Sequence, residues 1–230
     1  REVFLRALPV TLEIGFISAF IACIFGIPLG IISATKPNTL IDVFVRLFGL
    51  IGLSFPNFWL ATLLLLFTSL HFNWIPGLTY VPLWEDPIGN LKQMILPSVI
   101  LSFQLMAITM RMTRATMLEE LKQDYIRTAR AKGLSMKIVV NKHAMKNAMI
   151  PILTIASVQL GYLLSGSVII EQIFGLPGIG WFFLQGLLDR DYPVVQIMAL
   201  FMVCVFVFVN LLTDIAYAYL DPRIKYDTKQ

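Results

Sequence analysis

Five long stretches of this chain contain no Asp, Glu, Lys or Arg: Ile14–Thr35, Leu47–Trp84, Gln93–Met110, Ala148–Ile170 and Tyr192–Thr213. A bilayer core about 30 Å thick is crossed by roughly 20 apolar residues of helix, so each run is of spanning length. The runs are apolar on every side, whereas barrel strands are segments of about 10 residues with alternating polarity. Composition agrees, with 57% hydrophobic residues, 14% charged ones and a mean hydropathy of +0.77; soluble domains carry about 25% charged residues. Disordered, collagen-like and disulfide-rich classes are excluded. The sequence predicts an all-α, polytopic membrane protein forming one transmembrane domain over residues 1–230.

The charges set the expected orientation. Half of the 18 Lys and Arg residues lie between Arg111 and Lys146, opposed only by Glu119, Glu120 and Asp124. That stretch is therefore +6 and the remainder of the chain −2. Lys/Arg excess marks cytoplasmic loops, which places the loop at about 111–147 inside. The segments at about 71–92 and 171–191 carry −1 and −2 and are placed outside, while the Lys36–Arg46 turn, at +1, is inside. The five runs then alternate and leave Tyr226–Gln230 in the cytoplasm. The N-terminus comes out external, which predicts a sixth, N-terminal membrane helix upstream of Arg1.

Catalytic chemistry is not evident. No Gly-x-x-x-x-Gly-Lys-[Ser/Thr] is present to cradle nucleotide phosphates. His71 and His143 are far apart, and Cys23 and Cys204 offer no metal or disulfide spacing. Ser165 and Ser167 have no intramembrane His to act as base. No catalytic residue and no metal ligand is assigned, and nucleic-acid binding is not expected.

The basic loop has internal order beyond its charge. Tyr125, Thr128, Ala129 and Lys132 recur at helical spacing, and Gly133 has the position of a helix stop. A second helical stretch runs from Ile138 to Met149 through Val139, Val140, Ala144 and Ala148. Outside, Trp74, Tyr80 and Trp84 with Pro76, Pro82 and Pro87 read as an interfacial aromatic belt with turns, and alternatively as a docking surface. Phe174-Gly175-Leu176-Pro177-Gly178-Ile179-Gly180 predicts a break after the fourth run, followed by a short re-entrant or surface helix. Gly26-Ile27-Pro28-Leu29-Gly30 has the spacing of a helix-packing motif.

The segment Tyr125–Ser135, with Lys142-His143-Ala144 and Asn147-Ala148-Met149-Ile150-Pro151, resembles the coupling-loop signature of bacterial ABC importer permeases of the dipeptide/oligopeptide/nickel branch. Similar correspondences are Leu53-Ser54-Phe55-Pro56-Asn57-Phe58-Trp59, Ile170-Glu171, Pro177-Gly178-Ile179-Gly180, Arg190-Asp191-Tyr192-Pro193 and Asp221-Pro222-Arg223. The likeness runs from Leu8 to Ile224. The wider superfamily's loop begins Glu-Ala-Ala; here Arg127-Thr128-Ala129 stands instead, which removes any salt bridge made by that Glu.

The resemblance implies a type I importer fold and one of two permease subunits lining a solute path. Arg127, Thr128, Ala129, Arg130, Ala131, Lys132, Gly133 and Leu134 would dock on a P-loop ATPase. Expected partners are a second homologous permease, two such ATPases, an extracytoplasmic solute-binding protein and membrane lipids. This chain would hold no cofactor, with ATP and Mg in the ATPases. The location would be a bacterial inner membrane. The expected solutes are di- or oligopeptides, with nickel or a metal chelate as the alternative and a self-sufficient secondary transporter as a second one. Polar groups in lipid are costly and raise functional hypotheses, so Gln159, Gly161, Ser165 and Glu171 are candidates for the path wall. Glu171 and Asp214 sit where they are alternatively expected simply to reach water.

Overall fold

The computed structural model describes residues 2–75 and 80–220, with side chains described at all of these except 2–3, 162, 164–166 and 216–220. The expectations on Pro76, on the side chain of Ser165, and on Asp221-Pro222-Arg223 and the C-terminus lie outside the described residues. Every regular element among the described residues is helical.

The chain begins with α1 (Glu2–Thr35), which turns through Lys36–Thr39 into α2 (Leu40–Ser54). The Thr39 side chain caps α2 by accepting the Asp42 N–H. The run Leu47–Trp84 is not one straight span. α2 ends at Ser54 and α3 (Asn57–Phe72) leaves it at 97°. Pro56 is the cause: it lacks an N–H for the helical ladder, and its ring biases Phe55 out of the helical region; Phe55 is extended at ψ 127°.

α4 (Pro87–Glu120) starts with the Asp86 carboxylate accepting the Ile88 and Gly89 N–H groups, and Pro87 stands where an N–H is not needed. It is followed by α5 (Asp124–Ala131) and a single turn, α6 (Met136–Ile138). A π-helical segment, Val139–Ala144, then leads into α7 (Met145–Phe174). Gly175 ends α7 in the left-handed region at φ +63°. The Leu176 N–H returns to the Glu171 carbonyl at 2.9 Å, and buried Leu176 packs beneath it. α8 (Ile179–Leu188) follows at 86° to the end of α7, as the Gly/Pro break predicted. α9 (Tyr192–Leu220) is the last helix among the described residues.

Phe4–Thr35, Pro87–Glu120 and Tyr192–Ile215 are each long and apolar enough to cross a membrane, and the α2–α3 and α7–α8 pairs bring the candidates to five. α1 and α4 pack along most of their length. A Cβ on Gly26 would lie 3.0 Å from the Met106 carbonyl oxygen, and one on Gly30 2.7 Å from that of Met110, so the paired glycines do bring two backbones together. One apolar cluster, including Ile14, Met94, Ile100 and Ile170, fills the centre of the bundle. A second, of Met117, Ile126, Val139, Val140 and Ile152, sits beneath the basic loop.

Candidate functional site

The basic loop folds as a helical projection built on the bundle. In α5 the buried residues are Ile126 and Ala129, which enter the second apolar cluster with Met117, Val139, Val140, Ala144 and Ala148. Of the four residues whose spacing reads as a helix, Ala129 is buried, while Tyr125, Thr128 and Lys132, the last just past the helix end, are exposed. Arg127, Thr128, Arg130, Ala131, Lys132, Gly133 and Leu134 are likewise exposed. Gly133 terminates α5 at φ +78°, with the Leu134 N–H reaching the Ala129 carbonyl at 3.4 Å and its own N–H reaching Arg130 at 2.9 Å. This is the left-handed stop that glycine adopts without steric cost.

Two polar ties hold the projection. The Tyr125 hydroxyl donates to the Glu120 carboxylate at the end of α4 and accepts from Asn147 Nδ2 at 3.1 Å. Partial burial, together with the carboxylate it donates to, pushes the Tyr125 hydroxyl up to about 12. Nearby, Arg114 of α4 grips Asp42 through Nε at 2.7 Å and Nη2 at 2.9 Å. Asp42 is fully buried and also accepts from Ser33 Oγ at 2.5 Å and the Asn38 N–H at 3.0 Å. The α1–α2 turn is thereby locked to the same end of α4 that carries α5. Nothing in the local sequence signals this pair.

Gln159, Gly161 and Glu171, the path-wall candidates with described side chains, do not share one site. Gln159 lines a cavity of about 320 Å³ between the start of α3, the middle of α4 and the middle of α7. Asn57 and Gln104, which sequence reasoning passed over, line the same cavity; Asn57 Nδ2 donates to Gln104 Oε1 at 3.2 Å. The available signal was an amide interrupting an apolar run. Gly161 instead faces α9, where a Cβ would run into the Phe206 ring.

Glu171 does not reach water in this chain, contrary to the simpler of its two expectations: it is 0% exposed. Its Oε1 accepts from Thr11 Oγ1 at 2.8 Å and its Oε2 from the Trp181 N–H at 2.8 Å. Thr11 accepts in turn from the Ile179 N–H at 2.8 Å. The free donors in the first turn of α8 are thus met by α1 and α7, and the carboxylate lies at the positive end of α8. Gly180 is needed for this approach, since a Cβ there would lie 2.6 Å from the Val168 Cα. On the same side of the bundle Tyr80 donates to Glu13 Oε2 at 2.9 Å, and burial together with that bond pushes its hydroxyl well above the usual range.

A bundle of helices long and apolar enough to cross a membrane, with two bent pairs and a helix projecting from the basic loop, is the architecture of a multi-pass membrane protein. The family profile described as "Binding-protein-dependent transport system inner membrane component" matches residues 26–226, and the chain belongs to that family. A Brucella abortus (strain 2308) protein named as a peptide transport system permease is 43% identical over 96% of this chain and 70% of its own length. The dipeptide transport system permease protein DppB of Bacillus subtilis (strain 168) is 40% identical over 97% of this chain and 70% of its own length. The Escherichia coli (strain K12) protein of the same name is 36% identical over 98% and 73%. The inward-facing MetNI methionine ABC transporter has a chain of the same fold, with a TM-score of 0.71, 19% identity, and coverage of 95% of this chain and 96% of that one.

The chain is thus the permease subunit of an ABC importer, a multi-pass membrane component. In systems of this kind ATP hydrolysis lies in partner subunits, and a solute-binding protein and a further permease complete the machinery.

Proposed function

We propose that this permease carries di- or oligopeptides inward, with α5 as the lever on which a P-loop ATPase acts. The observation that carries the coupling role is the division of α5 into two faces. Ile126 and Ala129 fix it to α4 and α7, while Arg127, Thr128, Arg130, Ala131 and Lys132, with Gly133 and Leu134 beyond its stop, stand free for a partner. A helix rigidly mounted on two spans transmits displacement to them, which a floppy loop does not. The peptide reading rests on the names of the relatives at 36–43% identity.

In this reading the loop at about 111–147 and the C-terminus are cytoplasmic, and the segments at about 71–92 and 171–191 meet the solute-binding protein outside. A second homologous permease faces this one across the path, two ATPases with ATP and Mg lie beneath, and the complex sits in a bacterial inner membrane. Gln159 belongs to the path wall, Gly161 packs α7 on α9, and Glu171 sets the pose of α8 at the outer end. Ser165 is retained as a path candidate on its position in the sequence.

Charge reversal on the free face, Arg127→Glu with Arg130→Glu, tests the lever. Loss of ATPase subunits from the purified complex, at unchanged membrane abundance of the permease, is expected. Full assembly and transport in that variant would overturn it. A bulky residue at Ala129 is a poorer probe, because Ala129 is 7% exposed and turned into the bundle.

A further inference from the structure

Gln104 lies near the middle of α4 (Pro87–Glu120) and Gln159 near the middle of α7 (Met145–Phe174). Asn57 opens α3 directly after the 97° break. Three side-chain amides and one interruption of helical backbone therefore meet at the mid-depth of the bundle, around a cavity of about 320 Å³. Irregular backbone at membrane depth is tolerated where it is buried in protein or borders a water-filled space. Polar side chains there are costly unless they serve a pathway. Asn57 Oδ1 is buried and has no partner among the described residues, although the Nδ2 of the same amide is bonded to Gln104. A buried acceptor without a partner, on a residue that lines a cavity, becomes a place for a donor from outside the chain once the side chain turns toward it.

We infer that Asn57, Gln104 and Gln159 form a transient subsite for the backbone amides of a passing peptide, an inference that rests on the peptide reading above. Each side-chain amide offers a donor and an acceptor in one plane, the same pair that a peptide bond presents. Such a set reads the main chain and ignores side-chain identity. It is also uncharged, so it replaces hydration without trapping its cargo, as a conduction path requires. Leu101, Leu105 and Leu163 complete the walls and leave room for apolar side chains. The volume is at the small end of ligand pockets, which begin at about 300 Å³, and suits a short extended stretch.

The test uses the complete importer in proteoliposomes with its binding protein, comparing an alanyl dipeptide with the depsipeptide in which an ester replaces the amide. Wild type is expected to favour the amide. Asn57→Leu, Gln104→Leu and Gln159→Leu should each lower dipeptide uptake about fivefold, the value of one hydrogen bond, and shrink the amide-over-ester ratio. Gln159→Asn, which keeps the amide, should retain that ratio. Unchanged uptake and ratio in all three leucine variants, with wild type transporting peptide, would overturn the subsite alone. A wild-type importer that moves no peptide would overturn the subsite and the peptide reading together. A leucine variant that loses uptake but keeps the ratio would also count against it, because that is the signature of damaged packing.

Discussion

Thr11 and Glu171, 160 residues apart in sequence, share a buried hydrogen bond of 2.8 Å that joins α1 to α7 beneath the first turn of α8. Every atom of this unit has a use: the Thr11 hydroxyl also takes the Ile179 N–H, and the second carboxylate oxygen takes the Trp181 N–H. Glu171→Ala should therefore strand donors in the interior and lower stability by about 2 kcal/mol or more. Thermal unfolding of the detergent-solubilised complex reads this as a fall in Tm. Glu171→Gln, which keeps the volume and one acceptor, should fall less.

Asp42 and Arg114 make a second prediction. Removing one member of a buried pair leaves an uncompensated charge and costs about 3–5 kcal/mol. Asp42 is fully buried and Arg114 partly so, so Asp42→Ala should lower membrane abundance sharply. The double replacement Asp42→Leu with Arg114→Met should recover most of it, as immunoblotting of membranes would show. Equal loss in both would mean that the pair is not what fixes the α1–α2 turn.

Gly161 and Phe206 form a packing pair between α7 and α9 in which a Cβ has no room. Gly161→Val should destabilise the protein, and Phe206→Ala should partly rescue it by opening the space. A coupling of about 0.5–3 kcal/mol is expected for residues in contact. Additive effects in thermal melts of the four proteins would contradict the geometry.

Tyr125 predicts a pH dependence at the lever. Its hydroxyl is raised to about 12, so the tie to Glu120 is a property of the protonated form. The sign follows: this contribution is complete below the ordinary tyrosine value of about 10 and disappears as pH rises through about 12. Tyr125→Phe should loosen α5 at neutral pH, seen as faster tryptic cleavage at Arg127 and Arg130. Wild type should keep its slow cleavage from pH 7 to 9.

How much of this was legible in the sequence depends on the range of each interaction. The membrane class, the α5 helix and its Gly133 stop, and the break at Gly175–Gly178 follow from local patterns of apolar runs and turn residues. Pro56 reads locally as a kink or span boundary, but the size of the bend does not, because both arms are apolar and one run of hydropathy covers two directions. The spacing that reveals α5 does not say which face turns inward; only the cluster beneath identifies Ile126 and Ala129 as that face. Asp42–Arg114 and Thr11–Glu171 span 72 and 160 residues, beyond the reach of any periodicity. Gln159 was found as a polar interruption, whereas Asn57 and Gln104, the same kind of signal, gained meaning only once three helices met.

The π-helical turn Val139–Ala144 stands between the lever and α7. A π turn holds about one residue more than the α turn it replaces, and each residue of an α-helix advances rotation by about 100°, from 3.6 per turn. Shortening this turn by a single residue would restore regular pitch yet swing the Arg127–Leu134 projection around the axis of α7. On the proposed reading, the phase between ATPase contact and path is thus stored as a residue count. Exchanging the chemistry of these six positions should disturb that phase less than changing their number.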